Sequence, residues 1–188
     1  MKKIVLSIFL CVMVAVVRGQ TASVEKSVFG IQTGLFGTWV HNELKISNQI
    51  ILRSEIGIDI STGKQDFYLD VNFLLDAVVT LEPRWYYNLN KREKLSKRID
   101  GNSGNFFSIK TSYHPDLLVI SDSNESLDVV TDISIIPTWG IKRNIGDNFN
   151  YEAGLGAGYI YYFSERAGFL ENEGELAINL HLRIGYRF

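Results

Sequence analysis

The chain has a single cysteine, Cys11, and it falls within the first nineteen residues. Those residues read as an export signal. Lys2 and Lys3 form a basic start, Ile4 to Val17 an apolar core too short to cross a bilayer as a helix, and Val17-Arg18-Gly19 a cleavage site. Leu10 before Cys11 is not small, so Cys11 does not read as a lipidated cysteine. Residues 1–19 are expected to be removed, and residues 20–188 to form one domain. Without a cysteine, that domain can form no disulfide and do no thiol chemistry. It also lacks an apolar run long enough for a membrane helix, and no helical period appears in it. An excess of positive charge is missing too. Residues 1–19 hold Lys2, Lys3 and Arg18 and no acid, so losing those three charges takes the formal net charge from −2 to −5. A mildly acidic chain argues against nucleic acid as a partner. The three histidines, His41, His114 and His181, lie on separate segments, so no metal-ligand spacing is present and neither a metal nor another cofactor is expected.

What is present is alternation. From Glu175 to Phe188, Leu176, Ile178, Leu180, Leu182, Ile184, Tyr186 and Phe188 share one parity. Glu175, Ala177, Asn179, His181, Arg183, Gly185 and Arg187 share the other. Period two means a strand with one apolar and one polar face. This run exceeds the ~9–11 residues that cross a bilayer as a tilted strand. The pattern recurs at Phe29–Trp39, Ile50–Ile60, Phe67–Phe73, Ala77–Tyr87, Phe107–Tyr113, Ile133–Ile141 and Tyr151–Phe163, giving eight expected strands. A membrane protein without a membrane helix must close its sheet, because unpaired backbone groups find no partner in lipid. The expected fold is therefore all-β, an eight-stranded antiparallel up-and-down transmembrane barrel over residues 20–188. A tight turn is expected near Leu74–Ala77, with the alternative that the apolar parity of Phe67–Phe73, which runs unbroken through Leu75 into Ala77–Tyr87, makes one long strand. His41–Gln49, His114–Leu127 and Ser164–Gly174 are expected as outer loops, and Arg143–Asn148 as a short inner turn. Asn88–Asn105 then falls on the inner side, where it breaks the short-turn rule. Pro83 and Pro137 sit on the apolar parity of expected strands, so bulges or local breaks are expected there. A soluble sandwich or a lipocalin-like carrier is the competing reading, and it would turn the apolar parity inward.

Aromatic residues gather at the strand ends on the apolar parity. Trp39, Trp85, Tyr87, Trp139, Tyr151, Tyr159, Tyr161, Phe163 and Tyr186 are candidates for two interfacial girdles. The polar parity carries Arg53, Glu55, Glu82, Arg84, Lys110, Asp132, Glu152, Glu175, His181, Arg183 and Arg187. These are expected in the lumen, which in an eight-stranded barrel is just filled by side chains. Paired charges there would fix strand register and block a water path. Gly154, Gly156 and Gly158 recur on the same face and read as lumen space or curvature, since no helix follows them as a nucleotide loop requires. His181 has no serine in an evident partnership. His41 and His114 are expected near the outer rim, where a lipid hydrolase could act, but isolated histidines are more often solvated. No enzymatic activity is expected. The basic run Lys91, Arg92, Lys94, Lys97 and Arg98 reads first as a solvated turn and second as a docking site for anionic head groups or another envelope partner.

At Val79-Thr-Leu-Glu-Pro-Arg-Trp-Tyr-Tyr-Asn-Leu-Asn-Lys-Arg92, Asn102-Ser-Gly-Asn-Phe-Phe107, Pro137-Thr-Trp-Gly-Ile-Lys-Arg143 and Tyr186-Arg-Phe188 the chain resembles the small, porin-like outer-membrane β-barrel proteins of Gram-negative bacteria. The resemblance covers residues 20–188. It implies an outer-membrane location, lipid as the surroundings, and recognition of the terminal ring of Phe188 by the barrel-assembly machinery. It supplies no ligand or activity. The expected function is a structural or binding barrel acting through its outer loops. A narrow channel for small solutes is the alternative, and a lipid-modifying barrel enzyme the third reading.

Overall fold

The computed structural model describes residues 22–62, 73–116, 119–121, 130–167 and 171–188. The expected export signal, residues 1–19, and residues 67–72 of one expected strand lie outside these. The strands are β1 (Ser27–Gly34), β2 (Gly37–Lys45), β3 (Ile50–Thr62), β4 (Phe73–Trp85), β5 (Asn105–His114), β6 (Val119–Ser121), β7 (Asp132–Ile145), β8 (Phe149–Tyr162) and β9 (Glu173–Arg187). Each long strand pairs antiparallel with its neighbours, β4 with β5, β5 with β7, and so on to β9. The sheet closes through β1–β9. The short β6 pairs only with residues 74–76 of β4. Eight strands thus make a closed up-and-down barrel, with both termini at one end.

Alternation sets the two faces. Residues of one parity, such as Ile56, Leu81, Ile109 and Leu155, are exposed on the outer wall, while Arg53, Thr80, Glu82, Arg84 and Glu152 are buried inside it. A soluble barrel, whose apolar parity would face inward, does not match this arrangement.

Two expected segments are corrected. Phe29–Trp39 is not one strand. It folds back at Leu35-Phe36, between Gly34 and Gly37, which face each other across a two-residue hairpin. Gly37 has φ +151°, a backbone state that side chains rarely adopt. Second, there is no turn near Leu74–Ala77. Those residues pair in unbroken register with Ser61–Ile58, so Phe73–Trp85 is one strand. Eight long strands are present among the described residues, the early hairpin supplying one that was not expected.

The hairpin also relocates residues expected in an outer loop. His41–Lys45 belong to β2, and the turn at 46–49 lies at the terminal end of the barrel. Both prolines interrupt the ladder on one side without shifting register. β4–β5 pairing skips Glu82 and Pro83, and β7–β8 pairing skips Ile136 and Pro137.

The connection that breaks the short-turn rule is a plug. It contains a helix where none was expected, α1 (Leu89–Lys94), and a 3-10 turn over Asp100–Asn102. Ala22, Val24, Ile51, Tyr86, Leu89 and Phe106 bury one another across the terminal end of the barrel, with Ile99 against them. Polar contacts latch this plug. Asn102 Nδ2 donates to Glu43 Oε2 (2.7 Å), and Arg187 donates to Glu25 Oε1 (3.3 Å) and Asp100 Oδ2 (3.0 Å).

Candidate functional site in the barrel lumen

Inward parity brings charges from six strands into one network. Arg53 on β3 donates to Glu55, to Glu43 Oε1 (3.0 Å) and to Gln32 Oε1 (2.6 Å). Arg84 on β4 donates twice to Glu152 (2.8 and 2.7 Å) and once to Glu82 Oε2 (2.7 Å). Lys142 on β7 donates to Glu43 Oε1 (2.8 Å), and Arg183 on β9 to both oxygens of Glu55 (3.0 Å each). His181 Nε2 lies 3.2 Å from Glu152 Oε1. Ser108 donates to Glu82 Oε1 (2.6 Å), and Gln32 to Asn150 Oδ1 (3.0 Å). Arginine planes also stack on rings, Arg84 over Phe106 at 4.2 Å and Arg183 over Trp39 at 3.9 Å. Burying ions requires this density of partners, because a desolvated charge without one is costly.

Of the expected lumen residues, Arg53, Glu55, Glu82, Arg84, Glu152, His181 and Arg183 meet in this network. Lys110 lies on the same face toward the other end. Asp132 sits at that rim, where its Oδ1 is 2.9 Å from His114 Nδ1, and Asp59 Oδ2 is 3.4 Å from His114 Nε2. Glu175 is exposed at the rim and accepts a hydrogen bond from Tyr162 (2.9 Å). Arg187 is half-buried in the plug latch. Beside it, the Asp100 carboxyl is held down at about 2, chiefly by its hydrogen bond with Arg98 and then by that with Arg187.

Trp39 is a correction. It points into the lumen, donating from Nε1 to Asp59 Oδ1 (2.6 Å), and belongs to no girdle. His41 is corrected likewise, being buried in the lumen rather than near the outer rim. A two-residue hairpin reverses parity: Ile31 pairs with Val40, so the odd residues of β1 face out and those of β2 face in. The same reversal buries Glu43, which sequence reasoning missed. Its signal was Gly34-Leu-Phe-Gly37, a turn flanked by glycines. Lys142 was missed because β7 runs on past Ile141, the last apolar residue counted.

The other aromatic candidates lie on the outer wall or at its ends. Trp85, Tyr87 and Phe107 form one cluster, with ring centroids 5.3–6.4 Å apart. Phe29, Phe188, Tyr186 and Phe149 form another at the same end. Trp139 Nε1 donates to Tyr87 Oη (3.0 Å), and Tyr151 is exposed on the outer wall. Tyr159, Tyr161 and Phe163 stand at the opposite end, the last two 5.3 Å apart.

The basic run is divided in its contacts. Arg98 is engaged by Asp100 (2.7 Å) and Gly146 O (2.5 Å), and Arg92 donates to Arg98 O. Lys91, Arg92, Lys97 and Arg143 line a groove of about 450 Å³ beside Tyr87. Among the described residues, no group of three or more His, Cys, Asp or Glu could hold a metal ion, and no helix is long and apolar enough to cross a membrane. No protein-family model, curated protein or solved structure matches the chain.

Proposed function

We propose that this chain is exported to the outer membrane and stands there as a non-conducting β-barrel, contributing structurally or by binding through the loops opposite its termini. The observation that carries this reading is the reversed distribution of polarity in the closed barrel. Leucine, isoleucine and aromatic side chains cover the outside, and paired ions fill the inside. In water so wide an apolar surface would drive association. In lipid it is the required surface, with aromatic rings at the two interfaces. Two layers oppose conduction: the ion network across the middle and the apolar plug across the terminal end. The terminal ring of Phe188 is read as a signal to the barrel-assembly machinery. The groove of Lys91, Arg92, Lys97 and Arg143 is read as a contact for anionic head groups on the inner side.

The experiment joins fractionation to electrophysiology. The protein should require detergent for extraction, migrate differently on gels before and after heating, and give no stable conductance in planar bilayers. Recovery in a soluble periplasmic fraction would overturn the membrane reading, and a stable open pore would overturn the closed lumen in favour of a small-solute channel.

A further inference from the structure

The barrel wall is uneven. β9 pairs with β8 from Glu173 to Tyr186, but with β1 only from Arg183 to Arg187. Phe188 N donates to Phe29 O and Arg187 N to Asn148 O, so the even residues of β9 direct their backbone groups toward β1. β1 has already turned at Leu35-Phe36, level with Arg183 on one side and with Ile60 on the other, whose N–H donates to Phe36 O (2.8 Å). Among the described residues, Leu176, Ile178 and Leu180 therefore have no strand opposite them on that side. These residues are 74%, 73% and 63% exposed. An open edge is tolerated at membrane depth only where it borders a cavity or is covered.

It borders a cavity. A space of about 300 Å³ runs from Leu35, Phe36 and Leu180 on the outer wall to Lys110, Asp59 and Arg183 inside. The polar groups there are unequally occupied. Asp59 is engaged by Trp39 and His114, and Arg183 Nη1 by Glu55. Arg183 Nε is buried without a hydrogen-bond partner. Among the described residues, the Lys110 ammonium has no carboxylate at ion-pair distance. One cation without an ion-pair partner and one buried, unpartnered N–H donor thus lie at the inner end of a passage whose outer end is apolar.

We propose that this notch is a lateral binding site for a single-chain amphiphile with a carboxylate head, a long-chain fatty acid, entering from the bilayer. Its two oxygens meet Lys110 Nζ and Arg183 Nε, and its acyl chain lies along Leu180, Leu35 and Phe36. A cavity of this size falls at the lower end of the ligand-pocket range of ~300–1,000 Å³. The site rests on the membrane reading above, which extraction behaviour tests separately.

The test uses the protein folded in an uncharged detergent and titrated with dansyl-labelled undecanoic acid, followed by fluorescence and native mass spectrometry. The expected result is saturable binding of one probe per barrel. Lys110→Gln should weaken it by roughly tenfold or more, the loss of a charge-assisted contact. Leu180→Trp, which fills the notch and leaves the charges alone, should weaken it as well. Heat-modifiable migration of both variants checks that they remain folded. Equal binding of a trimethylammonium analogue, unchanged affinity in Lys110→Gln, or a probe-free dimer joined at this edge would each overturn the proposal. Any of these can occur while the protein still behaves as a membrane barrel.

Discussion

Glu152 is the acceptor on which the lumen turns. It takes two hydrogen bonds from Arg84, lies 3.7 Å from Arg53 Nη1 and stands beside His181. Glu152→Gln keeps the shape and removes the charge, leaving two buried guanidinium groups undercompensated. Removing one partner of such a network costs ~3–5 kcal/mol. The midpoint of urea unfolding in detergent should fall accordingly, and a loss below ~1 kcal/mol would place the charges in wetter surroundings than their burial indicates. Asp100 works in a different regime, its side chain being part-exposed. Its folded pKa of about 2 lies below the ordinary 3.8, so its contribution is complete above pH 3.8 and is lost as pH falls toward 2. Solvent screening of a part-exposed pair holds that contribution to at most ~1 kcal/mol. Asp100→Asn should flatten the stability profile between those pH values, and a parallel profile for both proteins would mean the latch does not hold. At this scale the sequence was a good guide to Arg53, Glu82 and Arg84, whose strands were phased correctly. It misled at Trp39 and His41, because a residue's face depends on every turn before it, and one uncounted two-residue hairpin inverts the parity of β2.

At the scale of elements, the plug is separable from the wall. Leu89 on α1 is fully buried among Ala22, Val24, Tyr86 and Phe106, yet it touches the barrel only at one end. Leu89→Ala should cost ~2–5 kcal/mol within that cluster. Because the ladders of β7, β8 and β9 do not depend on it, the loss should be local. Hydrogen exchange should quicken at 22–26 and 86–104 while β8 and β9 stay protected, and uniform loss of protection would show that plug and wall unfold as one. The plug was legible only as an anomaly, a connection too long for its side of the barrel. Its helix is a single short element held by tertiary burial, and six residues carry too little period to be read alone. The wall was legible because fourteen- and fifteen-residue strands repeat the alternation many times over.

At the scale of the molecule, closure depends on a short seam. Phe188 adds to it from beyond the last strand, donating from its N–H to Phe29 O (3.1 Å) and setting its ring 5.6 Å from that of Phe29. Burying such a ring contributes only ~1.5–3 kcal/mol. Deleting Phe188 should lower the amount inserted in cells more than it lowers the unfolding midpoint of refolded protein. Normal insertion with a large midpoint loss would make the residue a packing element rather than an assembly signal. Class and topology were readable here because a long alternation repeated over many segments, with no helical period competing, leaves few shapes in which every backbone group is paired. Function was not, since polar side chains that fill a lumen and those that bind a guest look alike in one dimension.

The division of the ion network along the chain has a consequence for inheritance by parts. Glu43, Arg53, Glu55, Glu82 and Arg84 come from β2 to β4 and sum to −1, while Lys142, Glu152 and Arg183 come from β7 to β9 and sum to +1. Within the network neither set is neutral by itself, and each carries the counter-charge of the other. A gene cut in the connection between β5 and β7 would therefore encode two fragments whose network ions lack counter-charges separately and find them together, each recognising the other by what it lacks.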